Sequence, residues 1–176
     1  MSYNPKIHKR RPIRLKGYDY SQAGLYFITI CCKNKEYLFG NIANGEMVLN
    51  DAGKIANQFW MDIPNHFPNA KLHEYVVMPN HVHGIIELIE NHHPPRPYSQ
   101  NQFQKMIPRS ISSIVKGYKI GVTKWFRNAS MDDFPIERAI WQRNYYEHII
   151  RNEQLYWTIS KYIKNNPANW HDDEYY

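Results

Sequence analysis

The stretch that decides the fold reads Val76-Val77-Met78-Pro79-Asn80-His81-Val82-His83-Gly84-Ile85-Ile86. A β-branched apolar run meets a two-residue Pro-Asn break, and a second strand then begins with two histidines. Side chains alternate between the two faces of a strand, so His81 and His83 project together while Val82 points to the opposite face. Two imidazoles fixed in this way can hold a divalent metal beside a sheet. In the alternative, the two histidines are half-buried strand residues that make hydrogen bonds and bind no metal. The spacing of the pair alone favours this alternative.

Strands and helices are predicted on both sides of this stretch. Residues 25–32 are β-branched, aromatic and apolar on both faces, which predicts a central strand. A short strand is predicted at 47–49 after the Asn44-Gly45 turn, followed by a helix that Asn50 caps and Pro64 ends. Further strands are predicted at 70–78 and from His81 to about residue 90, with one more strand or extended segment at 140–148.

Two helices are predicted in the second half of the chain. Pro108 is predicted to open the longer one, and the last is predicted at 153–165, capped by Asn152 and stopped before Pro167. One apolar stripe is predicted to face the core, comprising Ile107, Ile111, Val115, Tyr118, Val122 and Trp125. The order of elements predicts an α+β fold, a largely antiparallel sheet with helices packed on one face.

Length and composition limit the possible function. The 176 residues predict a single domain, 1–176, with a basic N-terminal arm at 1–16 and a mobile loop at 91–104. The net charge of +6, with 14 Tyr, 5 Trp and 7 Phe, favours single-stranded nucleic acid as a partner. Cys31 and Cys32 are neighbours that face opposite sides of a strand, which argues against a disulfide and for a reducing compartment. No run approaches the ~18 apolar residues of a membrane helix, so a cytoplasmic protein is predicted.

A metal site built on two histidines needs another protein ligand. Tyr162 and Asn166 are four residues apart on the last predicted helix, and so lie on one helical face. If that face packs against the histidine strand, Asn166 offers an amide oxygen and Tyr162 presents its hydroxyl beside the metal. A tyrosine hydroxyl, with a reference pKa near 10, becomes a useful nucleophile where a cation stabilises charge on a transferring phosphoryl group. In the alternative, Tyr162 is a packing aromatic and Asn166 merely ends the helix.

Taken together, these motifs resemble the HUH (His-hydrophobic-His) superfamily of single-stranded DNA transposases, and within it the REP-associated tyrosine transposases of bacteria. The resemblance covers nearly the whole chain. Its motifs are Arg14-Leu15-Lys16-Gly17-Tyr18-Asp19-Tyr20, Gly24-Leu25-Tyr26-Phe27-Ile28-Thr29-Ile30, Leu38-Phe39-Gly40, Met78 to Ile86, Trp141-Gln142-Arg143-Asn144-Tyr145-Tyr146-Glu147-His148-Ile149-Ile150-Arg151 and Tyr162-Ile163-Lys164-Asn165-Asn166-Pro167.

The resemblance implies a ferredoxin-like or RRM-like α+β domain and a transposase that is also a single-strand endonuclease and strand transferase. Tyr162 would attack a DNA phosphate, leaving a 5′-phosphotyrosine link and a free 3′-hydroxyl that the reverse reaction rejoins. His81, His83 and Asn166 would bind the metal. Imidazoles alone favour ions such as zinc, but the family implies Mg²⁺ or Mn²⁺. Tyr145 and Tyr146 are less favoured nucleophiles.

The implied partner is single-stranded or hairpin DNA similar to repetitive extragenic palindromes, bound by a monomer or a homodimer in the bacterial cytoplasm, with its action at the nucleoid. Basic residues of the arm and of the longer helix are candidates for phosphate contacts, although each is also explained as a solvated surface charge. These residues are Lys9, Arg10, Arg11, Arg14, Lys16, Lys116 and Lys119. The rival functions are a replication-initiator-like HUH nicking nuclease and a catalytically idle protein that binds DNA hairpins.

Overall fold

The structure is a computed structural model that describes residues 18–90, 107–129 and 139–173. The predicted basic arm at 1–16 and the predicted mobile loop at 91–104 lie outside the described residues. The strands are β1 (Gly24–Cys31), β2 (Gly40–Ala43), β3 (Glu46–Leu49), β4 (Ala70–Val77), β5 (His81–Leu88) and β6 (Tyr146–Ile150). The helices are α1 (Asp51–Met61), α2 (Ile63–His66), α3 (Ile111–Asn128) and α4 (Glu153–Asn165).

Four strands form one sheet in the order β4-β5-β1-β6, and every neighbouring pair is antiparallel. Because β4 and β1 are both antiparallel to β5, they run parallel to each other, and α1 lies on the connection between them. The same relation joins β5 to β6 through α3, with β1 between the two strands. This double split βαβ arrangement is the ferredoxin-like topology, so the predicted fold class is confirmed.

One face of the sheet forms the main hydrophobic core. Tyr26, Ile28 and Ile30 of β1 alternate inward with the even-numbered residues of β5, and α1 and α3 cover them. Trp60 of α1 lies directly over Gly84, where an added Cβ would come within 2.2 Å of the indole. The prediction that helices pack on one face of the sheet therefore holds for α1 and α3.

The fourth helix covers the opposite face. Phe27 and Ile85 project from the central strands to this side and form a smaller cluster with Ile159 and Ile163 of α4. The alternation that sends Ile28 and Val82 into the main core sends Thr29, His81 and His83 to the α4 side. Side-chain alternation thus separates an apolar core from the face that carries the histidines.

Local sequence signals explain most of the boundaries. The β2–β3 hairpin turns at Asn44 and Gly45, both with positive φ, as predicted for an Asn-Gly turn. The Asn50 side chain caps α1 at the Gly53 N–H, and Asn152 caps α4 at the Leu155 N–H. Strand β6 is shorter than the predicted segment at 140–148, because its ladder begins only at residue 146.

The start of α3 differs from its prediction. Pro108 lies outside the helix, because Arg109 adopts a left-handed conformation with φ of 62° and Ser110 caps the helix at the Ser113 N–H. The predicted stripe is correspondingly shifted, with Ile107 exposed and Trp125 only partly buried. The buried residues of the helix are Ile111, Ile114, Val115, Tyr118, Val122 and Phe126.

The described residues include both cysteines and helices α1 to α4. Cys31 and Cys32 are both free thiols, as their positions on opposite faces of the strand predict. Among the helices that the structure describes, none combines the length and the apolar character needed to cross a membrane.

Candidate active site

His81 and His83 open strand β5 directly after the Pro79-Asn80 break. Both imidazoles are fully buried, and their ring centroids lie 4.3 Å apart on the α4 side of the sheet. Phe27 of β1 stacks against His83 at 5.4 Å, and Trp170 stacks against His81 at 5.9 Å. The pair is therefore held by the sheet below and by aromatic rings beside it, as the alternation of the strand predicts.

Hydrogen bonds to the Nδ1 atoms orient both rings. Asn80 Oδ1 lies 2.7 Å from His81 Nδ1, and an amide oxygen only accepts, so Nδ1 carries the proton and Nε2 the lone pair. The Asn80 amide nitrogen donates to the Lys35 carbonyl, in agreement with this orientation of the amide. Thr29 Oγ1 lies 2.8 Å from His83 Nδ1 and can accept its proton in the same way. Such partners present Nε2 as a metal ligand or a hydrogen-bond acceptor.

Burial keeps both imidazoles neutral. It lowers the pKa of His81 to about 4, against opposing effects from the Asp173 carboxylate and from the Asn166 side chain. Burial also holds the pKa of His83 well below its usual value, and proximity to His81 lowers it further. Neutral imidazoles are the form that binds metals, so the pair is ready to act as ligands at neutral pH.

Tyr162 projects from α4 onto this pair. Its hydroxyl lies 3.0 Å from His83 Nε2 and 3.1 Å from Asp173 Oδ2, and its ring packs edge-on against His83. The side chain is 40% exposed, whereas the histidines are fully buried. The phenol is therefore fixed at the site and still accessible from solvent. All of these contacts lie within one chain.

Asp173 is the member of the site that the sequence did not reveal. A short 3₁₀ helix, Trp170–Asp172, returns the chain to the histidines after α4, and the Asn166 amide nitrogen donates to Asp173 Oδ2. Ligand atoms of His81, His83 and Asp173 all lie within 4.8 Å of one another. Asp173 follows Asn166 by seven residues, but α4 ends at Asn165, so helical spacing does not relate the two side chains. The signal in the sequence is the acidic run Asp172-Asp173-Glu174, shortly after the motif that contains Tyr162.

Asn166 occupies the position that its spacing from Tyr162 predicts. It is the C-cap of α4, is almost completely buried, and its side chain lies beside the His81 imidazole. Its amide nitrogen is engaged by Asp173, which leaves the amide oxygen for the histidine side of the site. The structure thus brings together four predicted residues, Tyr162, His81, His83 and Asn166, and adds the carboxylate.

Other predicted residues lie away from this cluster. Lys116 is exposed on α3, which covers the opposite face of the sheet. Lys119 donates to the carbonyls of Gln142 and Asn144 at 3.0 and 3.2 Å, and burial lowers its pKa to about 8. Lys119 thus supports the segment before β6, and the phosphate role of both lysines stays a prediction. The arm residues Lys9, Arg10, Arg11, Arg14 and Lys16 lie outside the described part of the chain.

The alternative tyrosines have other neighbours. The Tyr145 hydroxyl donates to Ser112 Oγ of α3 at 3.4 Å, on the core side of the sheet. Tyr146 begins β6 and packs edge-on against Phe27 on the histidine side, with 42% of its side chain exposed. His148 is exposed on the same edge strand. Of Tyr145, Tyr146 and Tyr162, Tyr162 is the one whose hydroxyl contacts the histidine pair, at His83 Nε2.

Comparisons with known proteins place the chain in a wider context. No protein-family model matches it. A Haemophilus influenzae protein of undescribed function is 50% identical over 99% of this chain and 97% of its own length, so the two chains belong to one family. A second *Haemophilus influenzae* protein, described as a "putative REP-associated tyrosine transposase", is 26% identical over 85% of this chain and 73% of its own length.

A solved structure has the same fold. It is that of a REP-associated tyrosine transposase bound to a REP hairpin, and it aligns with a TM-score of 0.60 at 20% identity. The alignment covers 89% of this chain and 74% of the other. The resemblance that the motifs predict is confirmed by these comparisons.

Proposed function

We propose that this chain, as a relative of the REP-associated tyrosine transposases, is a transposase that cuts and rejoins single-stranded or hairpin DNA through Tyr162. The observation that carries the proposal is the 3.0 Å contact between the Tyr162 hydroxyl and His83 Nε2, at a cluster of two neutral imidazoles and a carboxylate. A partly exposed phenol beside a set of potential metal ligands suits attack on a polymer that approaches from solvent.

The donor set fits a divalent cation. His81 and His83 offer Nε2 atoms, Asp173 offers a carboxylate oxygen, and the Asn166 amide oxygen faces the same space. Two imidazoles alone favour zinc, whereas the added oxygen donors suit Mg²⁺ or Mn²⁺, the ions that the family resemblance implies. When bound, the ion would polarise a phosphate oxygen and stabilise the charge that develops during transfer.

Tyr162 supplies the nucleophile in the proposed reaction. Its oxygen attacks the scissile phosphorus, the bond from phosphorus to the 3′ oxygen breaks, and a 5′-phosphotyrosine forms. Asp173 Oδ2, 3.1 Å from the hydroxyl, accepts the phenolic proton, and a proton returned to the 3′ oxygen completes a free 3′-hydroxyl. Attack by a 3′-hydroxyl reverses the step and rejoins DNA. One phosphodiester is exchanged for another, so no external energy source is required.

Positioning is assigned to the residues around the nucleophile. Thr29 and Asn80 fix the two histidine rings through their Nδ1 atoms, and Phe27 packs against both His83 and Tyr162. We propose that the chain acts as a monomer or a homodimer; in a dimer with shared sites, Tyr162 would serve the histidines of the other chain. The net charge of +6 favours a nucleic-acid partner, and we extend the hairpin partner of the structural relative to this chain. A cytoplasmic location agrees with this assignment.

A covalent adduct tests the proposal. Purified protein is incubated with Mn²⁺ and a labelled DNA hairpin with unpaired arms, and the products are separated on a denaturing protein gel. The wild-type chain, Tyr145→Phe and Tyr146→Phe should each give a labelled band at the mass of protein plus DNA, and Tyr162→Phe should give none. Hairpin binding without cleavage or an adduct in the wild type would support the catalytically idle protein instead. A persistent band in Tyr162→Phe would exclude Tyr162 as the nucleophile.

A further inference from the structure

A second concave site lies on the same face of the sheet as Tyr162, at the other end of β1. It is a cavity of about 590 Å³ at the beginning of α4. Leu25 and Ile150 form its floor and are paired in the sheet, whereas Thr29 of β1 is paired with His83. Leu25 and Thr29 are four residues apart, so the cavity lies about 13 Å from the histidine pair along the strand. The cavity lies at the beginning of α4 and Tyr162 lies near its end, so a strand of DNA that follows the exposed side of α4 can reach both places.

The cavity is lined mainly by apolar and aromatic surface. Tyr156 and Trp157 of α4 form its wall, with ring centroids 5.1 Å apart. Trp157 is 57% exposed, and its indole nitrogen donates to Glu153 at 3.2 Å, which fixes the ring. An exposed indole beside an apolar hollow offers a flat surface on which a planar ring can stack.

Polar groups are few and lie at defined positions. His73 of β4 bridges the wall to the sheet, because its ring nitrogens contact the Tyr156 hydroxyl at 3.1 Å and Glu87 at 3.0 Å. Arg151, directly after β6, and Glu153 both line the cavity, and both side chains are exposed. The Glu153 carboxylate accepts a hydrogen bond from the Trp157 indole, and Arg151 is the arginine of the lining that a phosphate can meet. These charges suit a neutral ring against Trp157 and a phosphate beside Arg151.

We infer that this cavity binds one unpaired nucleotide of the DNA, with its base against Trp157 and its phosphate toward Arg151. The inference rests on the proposed function and specifies how the substrate is recognised outside the reacting phosphate. A paired base has both of its faces covered by the duplex stack, so the cavity selects DNA with an unpaired segment. Binding here fixes the distance along the strand from the held nucleotide to the phosphate at Tyr162.

Binding measurements in a Tyr162→Phe background test the inference without any need for cleavage. The probe is a fluorescent DNA hairpin with unpaired arms, together with a series in which each arm nucleotide in turn is made abasic. Trp157→Ala should weaken binding of the intact hairpin at least about fivefold, and Trp157→Phe should retain most of the affinity. Ile120→Ala is the matched control, because Ile120 is 54% exposed on α3, the helix that covers the other face.

The abasic series locates the nucleotide. At one arm position, removal of the base should weaken binding by the Tyr162→Phe protein as much as Trp157→Ala does. The abasic change and Trp157→Ala together should weaken binding no more than either change alone. Log affinity falls as log salt concentration rises, and Arg151→Ala should make this slope shallower by about 0.7. A change of less than twofold for Trp157→Ala, or effects that multiply at every position, would overturn the inference. If the Tyr162→Phe protein does not bind the hairpin at all, the proposed function is refuted, and this inference with it.

Discussion

The two faces of the central sheet are built from the same strands and have opposite properties. On one face Ile28, Val82 and Ile86 are sealed beneath α1 and α3, and the described side chains there are almost all apolar. On the other face Thr29, His81 and His83 are equally inaccessible but carry hydrogen bonds, and Tyr162 reaches them from α4. Val82 lies between the two histidines in sequence and belongs to the opposite layer.

This contrast shows how one strand can serve stability and chemistry together. The core face anchors β5 through close apolar packing, so the histidines on its reverse side have little freedom to move. Fixed ligands need no ordering when a metal or a phosphate binds. Substitutions on the core face should therefore affect unfolding, and those on the histidine face should affect cleavage.

The largest expected effect is on the histidine face. His83→Gln retains a polar side chain near Thr29 but removes an imidazole ligand and the partner of Tyr162, so cleavage of a DNA hairpin should fall at least about a thousandfold. Initial cleavage rates in Mn²⁺ measure this, and the melting temperature and hairpin affinity should change little. His66→Gln, an exposed histidine at the end of α2, is the matched control. Full cleavage by His83→Gln would remove the histidine from the mechanism.

The next effect is on the core face of the same strand. In Gly84→Ala the new methyl would come within 2.2 Å of the buried Trp60 indole, so we expect the free energy of unfolding to fall by about 3 kcal/mol. Urea denaturation measures this loss. Gly117→Ala is the control, because its Cβ would meet only the Phe67 ring, at 3.3 Å, and it lies within α3. Wild-type stability in Gly84→Ala would show that Trp60 does not pack as described.

A smaller effect concerns pH. Burial lowers the pKa of His81 from 6.5 to about 4 in the folded chain, so the unfolded chain binds a proton first as the pH falls. The contribution of the neutral His81 imidazole to the free energy of unfolding is complete above pH 6.5. This contribution is lost as the pH falls from 6.5 to about 4, and the loss at pH 5 is roughly 2 kcal/mol. Urea denaturation in EDTA at pH 7.5 and pH 5 measures the difference. His81→Gln should reduce this loss, and an unchanged pH dependence in the variant would contradict a neutral buried imidazole.

Much of this contrast is encoded locally and could be predicted. The alternation around Val82, the Asn-Gly hairpin and the caps at Asn50 and Asn152 act over a few residues, and each matches its prediction. The start of α3 was predicted wrongly from Pro108, because the left-handed conformation of Arg109 and the Ser110 cap place the first turn later. A proline that is compatible with a first turn does not by itself start a helix.

The candidate site was only partly accessible to sequence reasoning. Helical spacing relates Tyr162 to Asn166, and strand spacing relates His81 to His83, but the contact between the two pairs depends on which face of the sheet α4 covers. Asp173 reaches the site only because the chain folds back after α4. No short-range period predicts such a return. Packing across the sheet therefore determines the part of the site that the sequence does not.

The role of Tyr162 is tested by identifying which residue carries DNA after cleavage. The adduct formed by the wild-type chain on a hairpin in Mn²⁺ is digested with nuclease and protease, and the nucleotide-bearing peptide is sequenced by mass spectrometry. We expect a nucleotide joined through its 5′-phosphate to Tyr162, the tyrosine hydrogen-bonded to His83. A nucleotide on Tyr145, Tyr146 or any other residue would contradict it.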